Sequence, residues 1–293
     1  MTQPINTISS YLKHEFGQKT VKLAIDGGFT CPNRDGSKSY GGCLFCSEGG
    51  GGDFASTIEN QIDLLSEKWP KAKYLAYFQN HTNTYAPIET LREKYEKALS
   101  HPLISGIAIA TRPDCINEEV LDLLSEINEN HFLWVELGLQ TIHQRTADLI
   151  NRCYALSVYD YAIEALNSRS IKTVVHLILG LPGETKEDMI QSVRYVCASG
   201  AWGIKLHLLN VVKGSRMEEE YHDYNSFHSI EEYVNFVCDL IEIIPSDIVI
   251  HRLTGDAPRK ILITPEWSYR KRTILNGITA ELKRRGSWQG CKA

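Results

Sequence analysis

The chain predicts an α/β protein built on a parallel sheet, and three observations lead there. Apolar, β-branched runs of strand length alternate with segments of helical periodicity from residue 21 to residue 209. The alternation makes six strand–helix units, with the cysteine- and glycine-rich stretch after the first strand counted as one crossover. No repeat or low-complexity segment interrupts it. Six units where a closed barrel has eight suggest an open, partial (β/α)6 barrel of the TIM type, and spacing alone leaves a doubly wound sheet as the alternative. Residues 1–215 are assigned to this core and 216–293 to a C-terminal α/β extension with a basic, aromatic-rich tail.

Taken in order, residues 6–16 read as a short amphipathic helix leading into the first strand, Val21 to Ile25, which stops at Asp26-Gly27-Gly28. After the cysteine loop, Ser56 is placed to cap a helix with Ile58, Ile62, Leu64 and Leu65 on its apolar side, ending near Trp69-Pro70. Strands follow at 73–78, 104–110, 132–137, 172–179 and 203–209. Helices fall at 88–99, 117–127, within 143–168 and at 185–198, the last capped by Thr185 with Asp188 behind it. Beyond the core, 229–243 carries Tyr233, Phe236, Val237, Leu240 and Ile241 at helical spacing, which is a core face. Ile248 to Leu253 reads as a strand and 266–285 as a basic helix, with Trp267, Tyr269 and Trp288 around it.

Composition narrows the function classes. At 293 residues, 43% hydrophobic and 23% charged, the chain is an ordinary soluble protein with length for a sizeable core. No apolar run approaches the roughly eighteen residues that span a bilayer, so no membrane partner is expected. Eight cysteines with no leader segment argue for a reducing, cytoplasmic location. The net charge of −5 hides an asymmetry: from His251 onward ten Lys or Arg face three acids, while the rest of the chain is acidic. A basic tail on an acidic body is a footprint for a polyanion, or else a solvated helical face.

The chemistry gathers in residues 21–54. Cys31 is followed after eleven residues by Cys43, and Cys46 completes a Cys-x-x-Cys pair before the Gly49 to Gly52 run. Three thiolates on one loop can hold an iron–sulfur cluster through three irons and leave the fourth open. A structural zinc site needs a fourth Cys or His, and His14 and His81 sit at no knuckle spacing. A disulfide needs an oxidising compartment.

In a partial barrel the loops at the strand ends carry function. After the second strand, Gln79, Asn80, His81 and Thr82 offer polar groups for the charged end of an amino acid. After the third comes Thr111-Arg112-Pro113-Asp114, where Arg112 suits a carboxylate or phosphate. On the fourth, inward-facing Glu136 and Gln140 are costly unless bound to something, and Arg152 lies twelve positions on from Gln140. The fifth strand carries His176, read as a satisfied core histidine or a lumen residue, and ends in Gly180-Leu181-Pro182-Gly183, which lets backbone approach a flat ring. On the sixth, alternation puts Lys205, His207 and Leu209 on one face, toward an anionic substrate portion or toward water. His251, Arg252 and Asp256 are placed to complete the substrate mouth. Arg270, Lys271, Arg272, Lys283, Arg284 and Arg285, interleaved with aromatics, suit RNA.

This set of motifs resembles the S-adenosylmethionine (SAM) radical superfamily, over nearly the whole chain. The wide first cysteine gap is similar to the elongator catalytic subunit family, and most similar to its small, stand-alone bacterial relatives. The resemblance implies a [4Fe-4S] cluster on Cys31, Cys43 and Cys46, with SAM on its open iron. It implies SAM contacts from Gln79, Asn80, His81, Thr82, Thr111, Glu136, Gln140, Arg152, His176 and Leu181, the Leu181 segment cradling the adenine. Reductive cleavage of SAM to a 5′-deoxyadenosyl radical would follow, with an electron donor such as flavodoxin or ferredoxin. Elongator-type enzymes act on the wobble uridine of tRNA, so tRNA is the implied partner. The chain is too short for their acetyltransferase domain. The small relatives point instead to processing of a carboxymethylaminomethyl side chain at uridine C5 to the aminomethyl form, before a separate methyltransferase acts. A radical SAM enzyme acting on a small metabolite such as a porphyrin precursor, and a non-catalytic zinc-containing RNA-binding protein, are the alternatives.

Overall fold

Six strands, β1 (Thr20–Ile25), β2 (Lys73–Phe78), β3 (Ile104–Thr111), β4 (Phe132–Gln140), β5 (Lys172–Leu179) and β6 (Gly203–Leu208), lie side by side in chain order, all parallel. The two-residue β7 (Val211–Val212) leaves the sheet, and β8 (Val249–Arg252) returns to pair with β6 as a seventh parallel strand. The structure is a computed structural model describing residues 4–52, 54–255 and 257–293. A doubly wound sheet reverses its strand order at a switch point. This one never does, and it curls into a half-barrel.

Crossover helices cover the outer face: α2 (Ile58–Ser66), α3 (Ile88–Leu99), α4 (Glu118–Asn130), α5 (Gln144–Leu149) with α6 (Leu156–Ser168), and α7 (Lys186–Ala198). The short α8 (Arg216–Glu220) precedes α9 (Ile230–Ile243), which is the crossover into β8. The 216–293 extension therefore supplies a strand to the sheet as well as the tail. In that tail, β9 (Leu262–Thr264) pairs antiparallel with β7. The helix expected over 266–285 is a 3-10 turn, Glu266–Tyr269, followed by α10 (Lys271–Arg285). The cap expected at Ser56 is Thr57, whose hydroxyl accepts from Asn60 N at 3.2 Å. Ser56 instead accepts from the Gln61 amide at 3.0 Å. Asp256 lies outside the described residues.

Two apolar layers hold the sheet. Outside, Leu23, Ile25, Ile107, Ile109, Val135 and Leu137 pack under the helices. Inside, Leu75, Ala108, Trp134 and Val174 form the lower floor, against which α1 (Ile8–Phe16) sets Leu12, Ile8 and Tyr11, with Trp202 beside them. Burial on both faces is why these strands read as continuous apolar runs. With α1 stoppering the lower end, the interior opens toward the carboxyl ends of the strands. Among the described residues no helix is long and apolar enough to cross a membrane.

At the start of α7 the reciprocal cap expected from Thr185 and Asp188 is present: Asp188 N donates to Thr185 Oγ1 at 3.2 Å, and Thr185 N to Asp188 Oδ2 at 2.8 Å. Thr185→Ala is expected to lower unfolding free energy by about 1 kcal/mol, measured by urea denaturation, with Thr185→Ser nearly neutral.

Candidate active site under the cysteine loop

Cys31, Cys43 and Cys46 border one cavity of about 270 Å³ at the open end of the half-barrel. Two neighbouring loops hold the cysteine loop in place. From the β4 side, Asn151 Nδ2 donates to Gly42 O (2.9 Å) and Ser39 Oγ (3.0 Å), and Leu44 N to Ile150 O (3.0 Å). Asn33, fully buried, donates to Asn151 O at 2.6 Å and to Cys43 Sγ at 3.4 Å. From the β2 side, Gln79 Nε2 donates to Gly51 O (2.9 Å) and His81 N to Gly50 O (3.3 Å). A side chain at Gly52 would put its Cβ 2.2 Å from that of Asn80, so only glycine permits this approach. His81, Gln140, Asn151 and Cys153 all hold positive φ, between 56° and 65°. Strain of this kind at non-glycine residues gathers at functional sites.

The thiols differ in acidity. The hydrogen bond from Cys46, with help from Arg112, Asn33 and Arg34 and against burial, brings Cys43 down to about 7. The same bond, with burial, pushes Cys46 up. Arg34 and Arg112 both border the cavity. Among the described residues no three His, Cys, Asp or Glu close on a single ion position. The three thiols line a space, and their donor chemistry suits a group larger than one ion.

The loop after β2 has an unusual hydrogen-bond balance. Asn80 gives its amide to Asp26 Oδ1 (2.8 Å), and Asn83 gives its own to Phe78 O, Asn80 O and Ala110 O. Asn80 Oδ1, Asn83 Oδ1, Thr82 Oγ1 and His81 Nδ1 are buried without partners. Buried acceptors rarely go unsatisfied, and this cluster lies beside the cysteine loop, where a ligand bearing an ammonium would complete it.

At the cavity floor stands Glu136, fully buried. Its Oε1 accepts from Trp134 Nε1 at 2.9 Å. Its Oε2 accepts from Tyr77 OH at 2.6 Å, from His176 Nε2 at 2.8 Å and from Lys205 Nζ. Lys22 Nζ lies 4.0 Å from Oε1. Burial alone would raise the Glu136 carboxyl, but Lys205 and then Lys22 outweigh it and hold it well below the usual carboxylate range. Three donors thus converge on Oε2 and one on Oε1. Glu136, expected from sequence as a SAM contact, lines the cavity with its carboxylate already bound to four side-chain donors.

Gln79, His81, Thr82, Thr111, Arg112, Gln140, His176, Lys205, His207 and Arg252 line the same cavity. Others do not. Arg152 is buried, with its guanidinium committed to the carbonyls of Leu139, Thr141 and Tyr154, so it clamps backbone where a SAM contact was expected. Leu181 packs in an apolar cluster with Leu44 and Ile178. Asn80 stands behind the lining. Arg112 is already paired in bidentate fashion with Asp114 (2.9 Å for both bonds). In the tail, Arg285 reaches Glu281, Asp239 and Glu242, which ties α10 to α9, while Arg284 pairs with Glu281 on its own helix and stays exposed. Arg270, Arg272 and Lys283 remain exposed, and Lys271 is half-buried. Sequence reasoning missed Lys22, Tyr77, Trp134, Asn33 and Arg34. A lysine inside an otherwise apolar strand was the one available signal, at Lys22.

The chain belongs to the radical SAM superfamily, an enzyme family whose members imply SAM and an iron–sulfur cluster: that family matches residues 31–196, and the Radical_SAM C-terminal domain matches residues 201–284. It is 45% identical to the protein YtqA of Bacillus subtilis (strain 168), over 97% of this chain and 91% of that one. It is 38% identical to YhcC of Escherichia coli (strain K12), over 90% and 87%. A tRNA uridine(34) acetyltransferase of Methanocaldococcus jannaschii is 22% identical over 58% of this chain and 32% of its own length. In fold, the chain is similar to the archaeal Elp3 of Methanocaldococcus infernus, with a TM-score of 0.65 at 18% identity, covering 78% of this chain and 58% of that one.

The buried histidines make stability depend on pH. Burial, then Lys205, brings His176 from 6.5 down to about 4. His207 and His251 are also held well below their ordinary value, mainly by burial. Between these values the unfolded chain binds more protons than the folded one, so stability falls as pH drops through that window. The slope is about 1.4 kcal/mol per pH unit for each histidine. The window lies above 4.5, where unfolded glutamates begin to titrate and the Glu136 contribution is lost in turn. Urea midpoints are expected to fall between pH 6.5 and pH 5, less steeply in His176→Gln.

Proposed function

We propose that this chain modifies the wobble uridine of tRNA by radical SAM chemistry, processing a carboxymethylaminomethyl side chain at C5 to the aminomethyl form. The observation that carries the reading is the set of Cys31, Cys43 and Cys46 thiols on the wall of a cavity whose floor is the Glu136–Lys205 pair. In this reading the three thiols hold a [4Fe-4S] cluster, and Arg34 and Arg112 balance its negative charge. The unpaired Thr82 Oγ1, which borders the cavity, suits the ammonium of SAM, with Thr111 and Gln140 bordering the same space. When bound, cluster and SAM would supply hydrogen-atom abstraction, directed in this reading at the glycine-like methylene of the side chain, whose C–H bond lies between nitrogen and carboxylate. The chain's own contribution is orientation and exclusion of water: α1 seals the barrel below, and the clamped cysteine loop roofs it.

The similarity to a protein named tRNA uridine(34) acetyltransferase supports tRNA as the substrate. A wobble base is already unpaired, so presenting it to the cavity costs little. On the surface, Arg259 and Arg270 flank the Tyr269 ring at 4.5 and 5.7 Å, an arrangement suited to phosphate and base stacking. An electron donor of the flavodoxin or ferredoxin type and a downstream methyltransferase are the implied partners.

The test is 5′-deoxyadenosine formation by anaerobically reconstituted protein with SAM and reductant, with and without tRNA carrying the carboxymethylaminomethyl uridine. Formation should rise with that tRNA while the modified nucleoside disappears. Cys31→Ala, Cys43→Ala and Cys46→Ala should each lose cluster iron and the product. Formation indifferent to tRNA would refute the wobble-base assignment.

A further inference from the structure

The cavity floor has more donors than acceptors. Glu136 is its one acid among the described lining residues, and Trp134, Tyr77 and His176 hydrogen-bond it beside Lys205. Lys205 Nζ gives one proton to Glu136 and one to Tyr77 OH at 2.9 Å, and its third has no partner. Lys205 borders the cavity, so a group seated there can take that proton. One strand position beyond it on the same face, His207 Nε2 is buried without a partner and borders the cavity. Two ammonium groups, Lys22 and Lys205, thus share one buried carboxylate. Burial pushes both lysines down from their ordinary value, and an anionic acceptor beside Lys205 would hold its ammonium charged; a carboxylate brings two oxygens and one negative charge.

We infer that Lys205, with His207 beside it, is the seat for the carboxylate of the substrate side chain, and that Glu136 is the positioning residue that holds Lys205 in place. The inference rests on the proposed wobble-uridine reading and adds a direction to it. The substrate side chain carries a carboxylate. The product lacks it and ends in an ammonium, which this floor disfavours. The seat thus accepts the substrate and rejects the product by charge. SAM carries a carboxylate too, and the same donors would suit it, so the experiment separates the two sources.

Cluster-loaded protein with SAM bound is titrated with two anticodon stem-loops, one bearing the C5-carboxymethylaminomethyl uridine and one the C5-aminomethyl uridine, and both Kd values are measured. SAM affinity is measured separately without RNA. The wild-type chain should prefer the carboxylate stem-loop at least about tenfold, a difference of about 1.4 kcal/mol. Lys205→Met should bring the ratio near one with SAM affinity unchanged, and Lys205→Arg should retain most of it. Glu136→Gln with Lys205→Met removes both charges together and guards against a fold defect from one unbalanced partner. Should the double variant fold and keep the preference, the seat is not Lys205. A loss of SAM affinity in Lys205→Met with the ratio intact would give the seat to the SAM carboxylate and overturn the inference. A wild-type ratio of one would also overturn it, even where tRNA-stimulated 5′-deoxyadenosine formation keeps the wobble-base reading standing.

Discussion

The buried charge of Glu136 is the constraint on which the interior depends. A carboxylate removed from water is costly unless cations and donors replace its hydration. Here they come from β1, β2, β4, β5 and β6: Lys22, Tyr77, Trp134, His176 and Lys205. That one group therefore fixes five strands in register at the level of the cavity floor. Below it the interior is apolar and stoppered by α1; above it the cavity begins. The polar layer divides a packed half from a chemical half within the same sheet.

Above that layer, the cysteine loop is held less by its own contacts than by its neighbours. Asn33 donates to Asn151 O and Asn151 donates to Gly42 O, each across more than a hundred positions, and the Gly50–Gly52 segment lies on the loop after β2. Four non-glycine residues at positive φ border this junction. The loop ends are thus positioned by the sheet, and the thiols inherit that rigidity. Arg112 and Arg152 contribute as clamps, one on Asp114 and one on main-chain carbonyls, while their charge still reaches Cys43.

Much of the fold was legible because apolar runs of strand length alternate with segments of period 3.6 from β1 to β6. The return of β8 to β6 was not, since a four-residue strand carries no mark of its partner. At the site, the three cysteines and the lumen-facing Lys205 and His207 were legible from spacing and alternation. Tyr77 and Trp134 were not, because an aromatic in a buried strand looks like core until its hydrogen bond is seen. Arg152 and Arg285 misled for the opposite reason. An arginine in sequence advertises a ligand, and only the folded structure shows carbonyls or carboxylates already occupying it.

The in-order sheet also bears on how the molecule assembles. Because each of the first six strands pairs with its sequence neighbour, the ladder can grow strand by strand, each addition closing one crossover connection. The polar layer cannot grow that way. Glu136 arrives with β4, His176 with β5 and Lys205 only with β6, so a chain folded as far as β4 carries a carboxylate whose strongest counter-ion is still to come. Such a partly built sheet must keep its interior wet. The interior dries, and its electrostatics strengthen, when the sixth strand docks, which makes the last-arriving lysine the latch of the barrel.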